Sequence, residues 1–245
     1  MTTMRPKPPA VKRRRRYDAT NRRARSVRTH QVVVEAAGRL FGRDGFQATT
    51  IAAIAAEAGV SEETIYKKFR SKAGLVRAIR DRGLAGEGPA HAERRSNTLQ
   101  REERDPRRII EGWGRLTLEV APRVMPILQL VAAGAGGDPE MAGLRNELDL
   151  ARLTRMRRNA RSLARAGHLR AGMRAAEAGD VLWACTSPEL HDLLVVRSGW
   201  PLERYARFIV DVMIGALLPV KPDVRSARPR RAASSRGRRE GHGVR

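Results

Sequence analysis

An all-α fold is what these 245 residues predict, and three observations predict it. Apolar residues recur at helical spacing from residue 28 to residue 218, and no stretch alternates apolar and polar residues for long enough to require a strand. Residues that cap or break helices sit at the ends of those periodic runs, among them Asp44-Gly45, Thr50, Gly59, Ser61, Ser71 and Asp105-Pro106. The length suits one large domain or two ordinary ones, so the apolar faces have a core to enter.

Taken in order, residues 1–27 combine proline and arginine with little apolar content. Such a segment buries too little surface to offset chain entropy, which predicts a basic disordered arm. Val33, Ala37, Leu40 and Phe41 share one face of a first helix over 28–45, which Asp44-Gly45 stops, leaving Phe46 free to enter the core. Thr50 caps a short second helix, Ile51 to Glu57, that ends at Ala58-Gly59. Ser61 caps a third, with Glu62 and Glu63 in the first turn, where the helix macrodipole favours carboxylates. Ser71 caps a fourth that runs through Leu75, Val76 and Ile79 to about Arg82 and completes a domain over 28–82. Gly83, Gly86, Gly88 and Pro89 then break the pattern, and the polar residues 90–104 after them read as a connector or a frayed helix, which makes 83–104 a connecting segment. Asp105 with Pro106 at the first helical position opens a second domain over 105–218. Its helices are predicted at about 106–119, 122–134, 139–166, 176–185, 188–197 and 201–218, separated at Pro122, Gly134 to Pro139, Gly167, Pro188 and Gly199. Residues 219–245 read as a second basic disordered tail.

Charge divides the chain differently from hydropathy. Lys and Arg number 49 against 26 Asp and Glu, a formal net charge of +23. Residues 1–30 hold +10 of it, residues 219–245 hold +7, and the body between them only +6. Basic tails on an ordinary globular body attract a polyanion through counterion release, and nucleic acid is the partner this implies. The single cysteine, Cys185, allows neither an intrachain disulfide nor a thiolate zinc cluster, as in a reducing compartment. The N-terminus lacks the apolar stretch of a secretory signal, and the longest apolar runs, Val124–Gly136 and Phe208–Val220, are about 13 residues each, short of a bilayer span. A cytoplasmic protein without a membrane partner is expected.

Enzymatic signatures are weak. His30, His91, His168, His191 and His242 show no metal-ligand spacing, and Gly134-Ala-Gly-Gly137 follows no strand and precedes no phosphate-binding sequence. Cys185 and His191 lie close in sequence across Pro188, but a buried structural cysteine is the commoner case. No catalytic residue, metal or cofactor is expected, and the chain is predicted not to be an enzyme.

Two helices of about seven residues joined by Ala58-Gly59-Val60-Ser61 have the outline of a helix-turn-helix, whose second helix can enter a major groove. At 100° per residue, Ile65 and Phe69 point together into a three-helix core, which leaves Glu63 and Lys67 opposite and Thr64 and Tyr66 on the flanks. The same outline fits a plain αα-hairpin without a DNA role. The wider run Val33-Val34, Ala37, Leu40-Phe41, Gly45-Phe46, Thr49-Thr50-Ile51, Ile54-Ala55, Ala58 to Ser61, Thr64-Ile65-Tyr66, Phe69, Ser71-Lys72 and Leu75 resembles the N-terminal domain of the TetR (tetracycline-repressor-like) family of transcriptional regulators.

That resemblance implies roles residue by residue. Thr50, Tyr66 and Lys72 match positions that meet backbone phosphate, contacts that position a protein without reading sequence. Glu62, Glu63, Thr64, Lys67 and Lys68 occupy the variable positions from which family members reach base edges, and Lys67 is the leading candidate for a base contact. The Glu62-Glu63 pair departs from the small residues or proline frequent there and fits helix stabilisation better than cytosine recognition. Arg13, Arg14, Arg15 and Arg16 immediately precede the first helix and are expected to lie along phosphates or in an adjacent minor groove.

The second domain resembles the family's regulatory half in size, helicity and position, and locally over Trp183–Pro188 and Gly199–Tyr205. Two tasks are implied there, dimerisation and binding a small molecule. The last helix carries a wide apolar surface of Leu202, Tyr205, Ile209, Val212, Met213 and Ala216, supported by Leu190, Leu193, Leu194 and Val196, which is read as a homodimer interface. Trp113, Leu116, Met125, Leu128, Met156 and Trp183, on separate helices, are the candidate lining of a ligand pocket, although side chains of this kind also build ordinary cores. The expectation is a ligand-responsive, sequence-specific regulator, a repressor released from a palindromic double-stranded DNA operator by a small-molecule effector. The competing reading is a sequence-tolerant DNA-coating protein dominated by its arginine-rich tails.

Overall fold

The computed structural model describes residues 12–86 and 90–220, with side chains from residue 21 onward. Among the described residues there are ten α-helices and one π-helical segment, and no strand. The helices are α1 (Lys12–Ala48), α2 (Ile51–Ala58), α3 (Glu62–Phe69), α4 (Lys72–Ala85), α5 (Ala92–Glu102), α6 (Pro106–Gly134), α7 (Pro139–Arg165), α8 (Ala175–Cys185), α9 (Pro188–His191) and α10 (Leu202–Leu217). The π-helical residues Asp192–Arg197 continue α9.

The first helix begins at Lys12, and this corrects the boundary of the disordered arm. Residues 12–27 contain no proline or glycine, and arginine and alanine are good helix formers. A helix already nucleated by the buried Val33, Val34 and Phe41 extends outward at one hydrogen bond per added residue, so it needs no tertiary contact to continue. The arm's remaining residues, 1–11, and the tail from residue 221 lie outside the described ones. At the other end of α1, Gly45 (φ 80°) kinks the chain where Asp44-Gly45 was expected to stop it.

The three short helices that follow are set by their caps. Thr50, Ser61 and Ser71 accept from the backbone N–H of Ala53, Thr64 and Gly74 respectively. Gly59 takes the left-handed conformation (φ 64°) between α2 and α3, a geometry that a residue with a Cβ adopts only at a cost of about 1–2 kcal/mol. Gly83, expected to end α4, lies inside it. A Cβ there would sit 2.8 Å from Val124 Cγ2, so the glycine allows α4 to pack closely on α6.

Of the two readings of the connecting segment the helical one is observed: 92–102 forms α5, whose Ala92 and Ser96 are buried. Its contacts are largely polar: the Arg95 guanidinium donates to both Glu119 carboxylate oxygens (2.7 and 2.8 Å), and Asn97 accepts from Arg155 (2.8 Å). A helix docked through such side chains carries little apolar periodicity to read. The helices expected at 106–119 and 122–134 are one, α6, which passes through Pro122 and Pro126. An interior proline costs about 3 kcal/mol, and burial of Ile109, Ile110, Trp113, Val124, Met125, Ile127 and Val131 along the same helix offsets it. At 29 residues α6 is also long and apolar enough to cross a membrane by length and composition, unlike the short runs counted in the sequence. It packs instead against α1, α4, α5, α7 and α10.

Two apolar cores result. The first gathers Val33, Phe41, Ile54, Ile65, Phe69 and Leu75 from α1 to α4 and is completed by Ile127 and Val131 of α6 with Met141, Leu144 and Leu148 of α7. The second joins Ile110 and Trp113 of α6, Leu163 of α7, Leu182 of α8, and Tyr205, Ile209 and Met213 of α10. Helices α6 and α7 therefore run through both cores, and α1 to α4 rest on the C-terminal end of α6 and the N-terminal end of α7.

Candidate nucleic-acid interface and interior cavity

Helix α3 buries Ile65 and Phe69 and exposes Glu62, Glu63, Tyr66, Lys67 and Lys68. Tyr66 is 51% exposed, an unusual state for a tyrosine with no docked partner. Lys67 points away from the core and engages no acceptor among the described residues. Thr64 is half-buried and tied into the cap, its Oγ1 2.9 Å from Ser61 Oγ, which removes it from the outer face. Lys68 donates to Ser26 Oγ (2.7 Å) and so links the end of α3 to the basic stretch of α1.

Beside α3 an open groove is lined by Thr49, Thr50, Ile51, Tyr66, Arg70 and Lys72, with Glu62 and Glu140 as the acidic residues of its wall. The N-termini of α2 and α4 both open toward it, so backbone N–H groups and helix dipoles favour an anion there. Thr50 Oγ1 is already an acceptor for Ala53 N–H (3.0 Å) and keeps its own O–H for donation. Lys72 is more constrained than its sequence position implies. Its Nζ donates to the carbonyls of Phe46 (2.8 Å) and Thr49 (3.1 Å) and lies 4.3 Å from the centre of the Phe46 ring. Two of three ammonium donors thus hold the α1–α2 turn in place, and one remains for a phosphate. Arg70, which sequence reasoning passed over, lies exposed in the groove with a left-handed backbone (φ 69°). A basic residue directly after the last core position of the recognition helix was the available signal. Arg13 to Arg16 fall in the first turns of α1, and their side chains lie outside the described ones.

The proposed dimer face divides in two. Tyr205, Ile209 and Met213 are buried in the chain's own second core, Tyr205 at 0% exposure with its O–H donating to the Cys185 carbonyl (3.3 Å), so these three are not available to a partner. The physical reason is that α10 packs on both α6 and α8 and spends one apolar stripe on them. Leu202 and Ala216 remain half-buried and Val212 exposed. Exposed Leu193, Val196 and Phe208 join Val212 on the outside, and Trp200 stacks edge-on against Phe208 at 5.5 Å.

Five of the six candidate pocket residues, Trp113, Leu116, Met125, Leu128 and Met156, line one cavity of about 190 Å³ between α6 and α7. Trp183 is outside that lining. It stands behind Arg152, whose guanidinium lies 5.0 Å from its ring centre and donates to its carbonyl oxygen (2.6 Å). The wall also carries Arg80, Arg152 and Arg155, which the search for apolar pocket residues missed because arginines on amphipathic helices read as solvent-facing. Burial pulls the Arg152 and Arg155 guanidinium groups below their ordinary pKa, Arg152 against the opposing pull of Asp149.

The Cys185 thiol is buried, and desolvation pushes it up to about 11, so it holds no nucleophilic thiolate near neutrality. His191 faces the Tyr205 ring edge-on at 5.4 Å with Nδ1 near Gln129 (3.4 Å), a packed position rather than a reactive one.

Residues 33–79 match the profile of bacterial regulatory proteins of the tetR family. An uncharacterised HTH-type transcriptional regulator of Bacillus subtilis (strain 168), YvkB, is 35% identical over 77 residues, which span 31% of this chain and 36% of that protein. Among solved structures, a SmeT–triclosan complex is similar with a TM-score of 0.61 at 21% identity, covering 78% of this chain and 92% of its own. NalD of Pseudomonas aeruginosa, described as the secondary repressor of a multidrug efflux pump, gives 0.60 at 20% identity over 80% and 98% of the two chains. A regulator from Saccharomonospora viridis in complex with choline gives 0.58 at 20% identity over 78% and 98%. At such identities these structures establish the shared fold, an N-terminal helix-turn-helix joined to a larger helical half. Residues 33–79 thus carry a helix-turn-helix of the type found in bacterial regulatory proteins of the tetR family, within a chain that shares the overall fold of these solved structures.

Proposed function

We propose that the chain is a homodimeric repressor that binds a two-fold DNA site through α3 and is released by a small molecule held in the cavity. The observation that carries the reading is the outer face of α3. Its start is fixed by the Ser61 cap and the Gly59 turn, while the exposed side chains of Tyr66 and Lys67 engage no partner among the described residues. A rigid helix with unengaged polar and basic side chains, beside a groove into which two helix N-termini open, suits major-groove reading with phosphate clamps on its flank. The exposed Leu193, Val196, Phe208 and Val212 supply a second copy with an apolar surface, and a two-fold protein asks for a two-fold site. Effector control follows from the cavity, which lies where α4 meets α6 and α7, and the triclosan and choline complexes of similar folds support a ligand there.

Selection of bound duplexes from a random pool tests this. The full chain is expected to enrich a motif with two-fold symmetry, and Lys67→Ala to relax one position of each half-site by about 1–3 kcal/mol. Enrichment of the unchanged motif by Lys67→Ala would remove Lys67 from the reading face. A monomeric mass at concentrations that bind the motif would remove the dimer, and Phe208→Asp or Val212→Asp should produce such a monomer from a dimeric wild type.

A further inference from the structure

The cavity has a shape and a charge that the assignment of an effector site leaves unspecified. Along α6 its lining runs Trp113, Leu116, Thr117, Val120, Ala121, Val124, Met125 and Leu128, a single helical stripe. The fifteen residue steps from first to last, at about 1.5 Å each, extend about 22 Å. A volume of about 190 Å³ spread over that length is a narrow slot. An engineered cavity of about 150 Å³ admits a benzene ring when compact; the same order of space drawn out favours an unbranched chain.

The polar groups of the wall are mostly donors. Among the described residues the Trp113 indole N–H is buried with no acceptor, on a residue only 7% exposed, and the Arg80 Nε–H is likewise buried without one. Such groups are costly when left unsatisfied, so a ligand that brings acceptors recovers part of that cost. Three guanidinium groups face two carboxylates in the lining. Arg152 is engaged by Asp149 (3.1 Å) and the Trp183 carbonyl, and Arg155 by Asn97 (2.8 Å) and the Glu93 carbonyl (3.0 Å). Among the described residues Arg80 pairs with its exposed chain neighbour Asp81 (3.1 Å) and acts at longer range on Glu147, whose carboxylate Arg77 holds. Of the carboxylates, Asp149 is held by Arg152 and Glu93 is exposed. An organic cation would find one aromatic ring, Trp113, where a quaternary ammonium prefers several.

Resting on the reading of this cavity as the effector site, we propose that its ligand is a linear amphipathic anion, an unbranched apolar chain ending in a carboxylate, with the head group on Arg80. Arg80 lies on α4, the helix whose Ala73, Leu75 and Val76 belong to the core of the helix-turn-helix, so a head group bound there acts on the element that carries the reading head. Leu84, one turn further along α4, lines the same slot.

Calorimetric titration of the full chain with decanoate, decan-1-ol and decyltrimethylammonium, each below its micelle concentration, tests the proposal. Decanoate should bind saturably and at least about tenfold more tightly than the cation of equal chain length. From hexanoate to decanoate, affinity should rise about threefold to fourfold per methylene. Arg80→Gln should lower decanoate affinity by about tenfold or more and leave decanol unchanged, with partial recovery in Arg80→Lys. Equal or tighter binding of the cation, no saturable decanoate binding, or Arg80→Gln behaving as wild type would each overturn it. Should Arg80→Gln fail to fold, the three ligands on the wild-type chain and Arg80→Lys decide alone. Binding to the selected duplex on the same samples keeps the two readings apart. DNA binding intact with no decanoate uptake defeats the anion site alone, whereas decanoate uptake that leaves DNA affinity unchanged defeats release by the effector and keeps the anion site.

Discussion

The two cores of this protein are built for opposite tasks. Around Ile54, Ile65 and Leu75, all fully buried, short helices are pinned by serine and threonine caps, a left-handed glycine and a lysine that bonds two carbonyls. Around Trp113, Met125 and Met156, long helices leave a slot, and three polarisable methionines, Met125, Met156 and Met213, stand on its wall. The first arrangement holds side chains in one geometry, which suits the groove reading proposed for α3, and the second can repack, which suits the ligand proposed for the slot. Helix α4 and the ends of α6 and α7 belong to both, so a change of packing at the slot has a direct mechanical route to the reading head.

The contrast should break most visibly in the cores. Ile65→Ala is expected to destabilise the chain by about 2–5 kcal/mol, because the tight core cannot collapse around the missing atoms. Met156→Ala, on a half-buried wall already facing empty space, should cost less than half as much in denaturant unfolding. Equal costs would mean that the two regions are packed alike.

Next in size is the lysine that locks the reading head. Lys72→Ala leaves two carbonyls without their donor and should cost about 1–3 kcal/mol, whereas Lys67→Ala, exposed and unengaged, should stay within about 0.5 kcal/mol while weakening DNA binding. Ser61→Ala, which removes the cap of α3, should cost about 1 kcal/mol. Tyr66→Phe should leave the melting temperature in place and lower affinity for all duplexes alike.

The smallest effect concerns pH and touches both regions. Burial lowers His30 below its ordinary value of 6.5, with Lys68 and Arg82 adding to it, and burial lowers His191 in the second core against the pull of Asp192. The unfolded chain then takes up protons at higher pH than the folded one, so the contribution is present above about pH 6.5 and is lost as pH falls through the lower folded values. Melting temperature should be level from pH 7 to 8 and decline below about 6.5, less steeply in His30→Gln. A decline on the alkaline side instead would contradict these environments.

How much of this was legible in the sequence follows the same division. Local devices could be read: Thr50, Gly59, Ser61 and Ser71 act within three or four residues of themselves, and each stands where its spacing placed it. Choices among distant partners could not. The apolar surface of α10 was visible, but whether Tyr205 and Ile209 met α6 or a second chain depended on a neighbour ninety residues away. Pro122 read as a break because the burial that offsets it is spread over all of α6. Lys72 read as a phosphate contact and Lys68 as a position that reaches base edges, and only the fold shows the carbonyls and the Ser26 hydroxyl to which they already donate. Apolar residues such as Trp113 and Met125 could be read as facing an interior, whereas the arginines beside them could not, since their guanidinium groups find partners across helices that sequence spacing does not relate.

The central claim is that a fixed α3, rather than the basic ends of the chain, decides where the protein binds. The most direct measurement is the ratio of affinities of the full chain for its selected duplex and for a random one, taken at several salt concentrations. A sequence-reading regulator should hold a ratio of about 10³ or more at physiological salt, with the tails steepening the salt dependence of both affinities together. A ratio near one, with affinity set by salt alone, would contradict the account and leave a protein that coats DNA through its arginines.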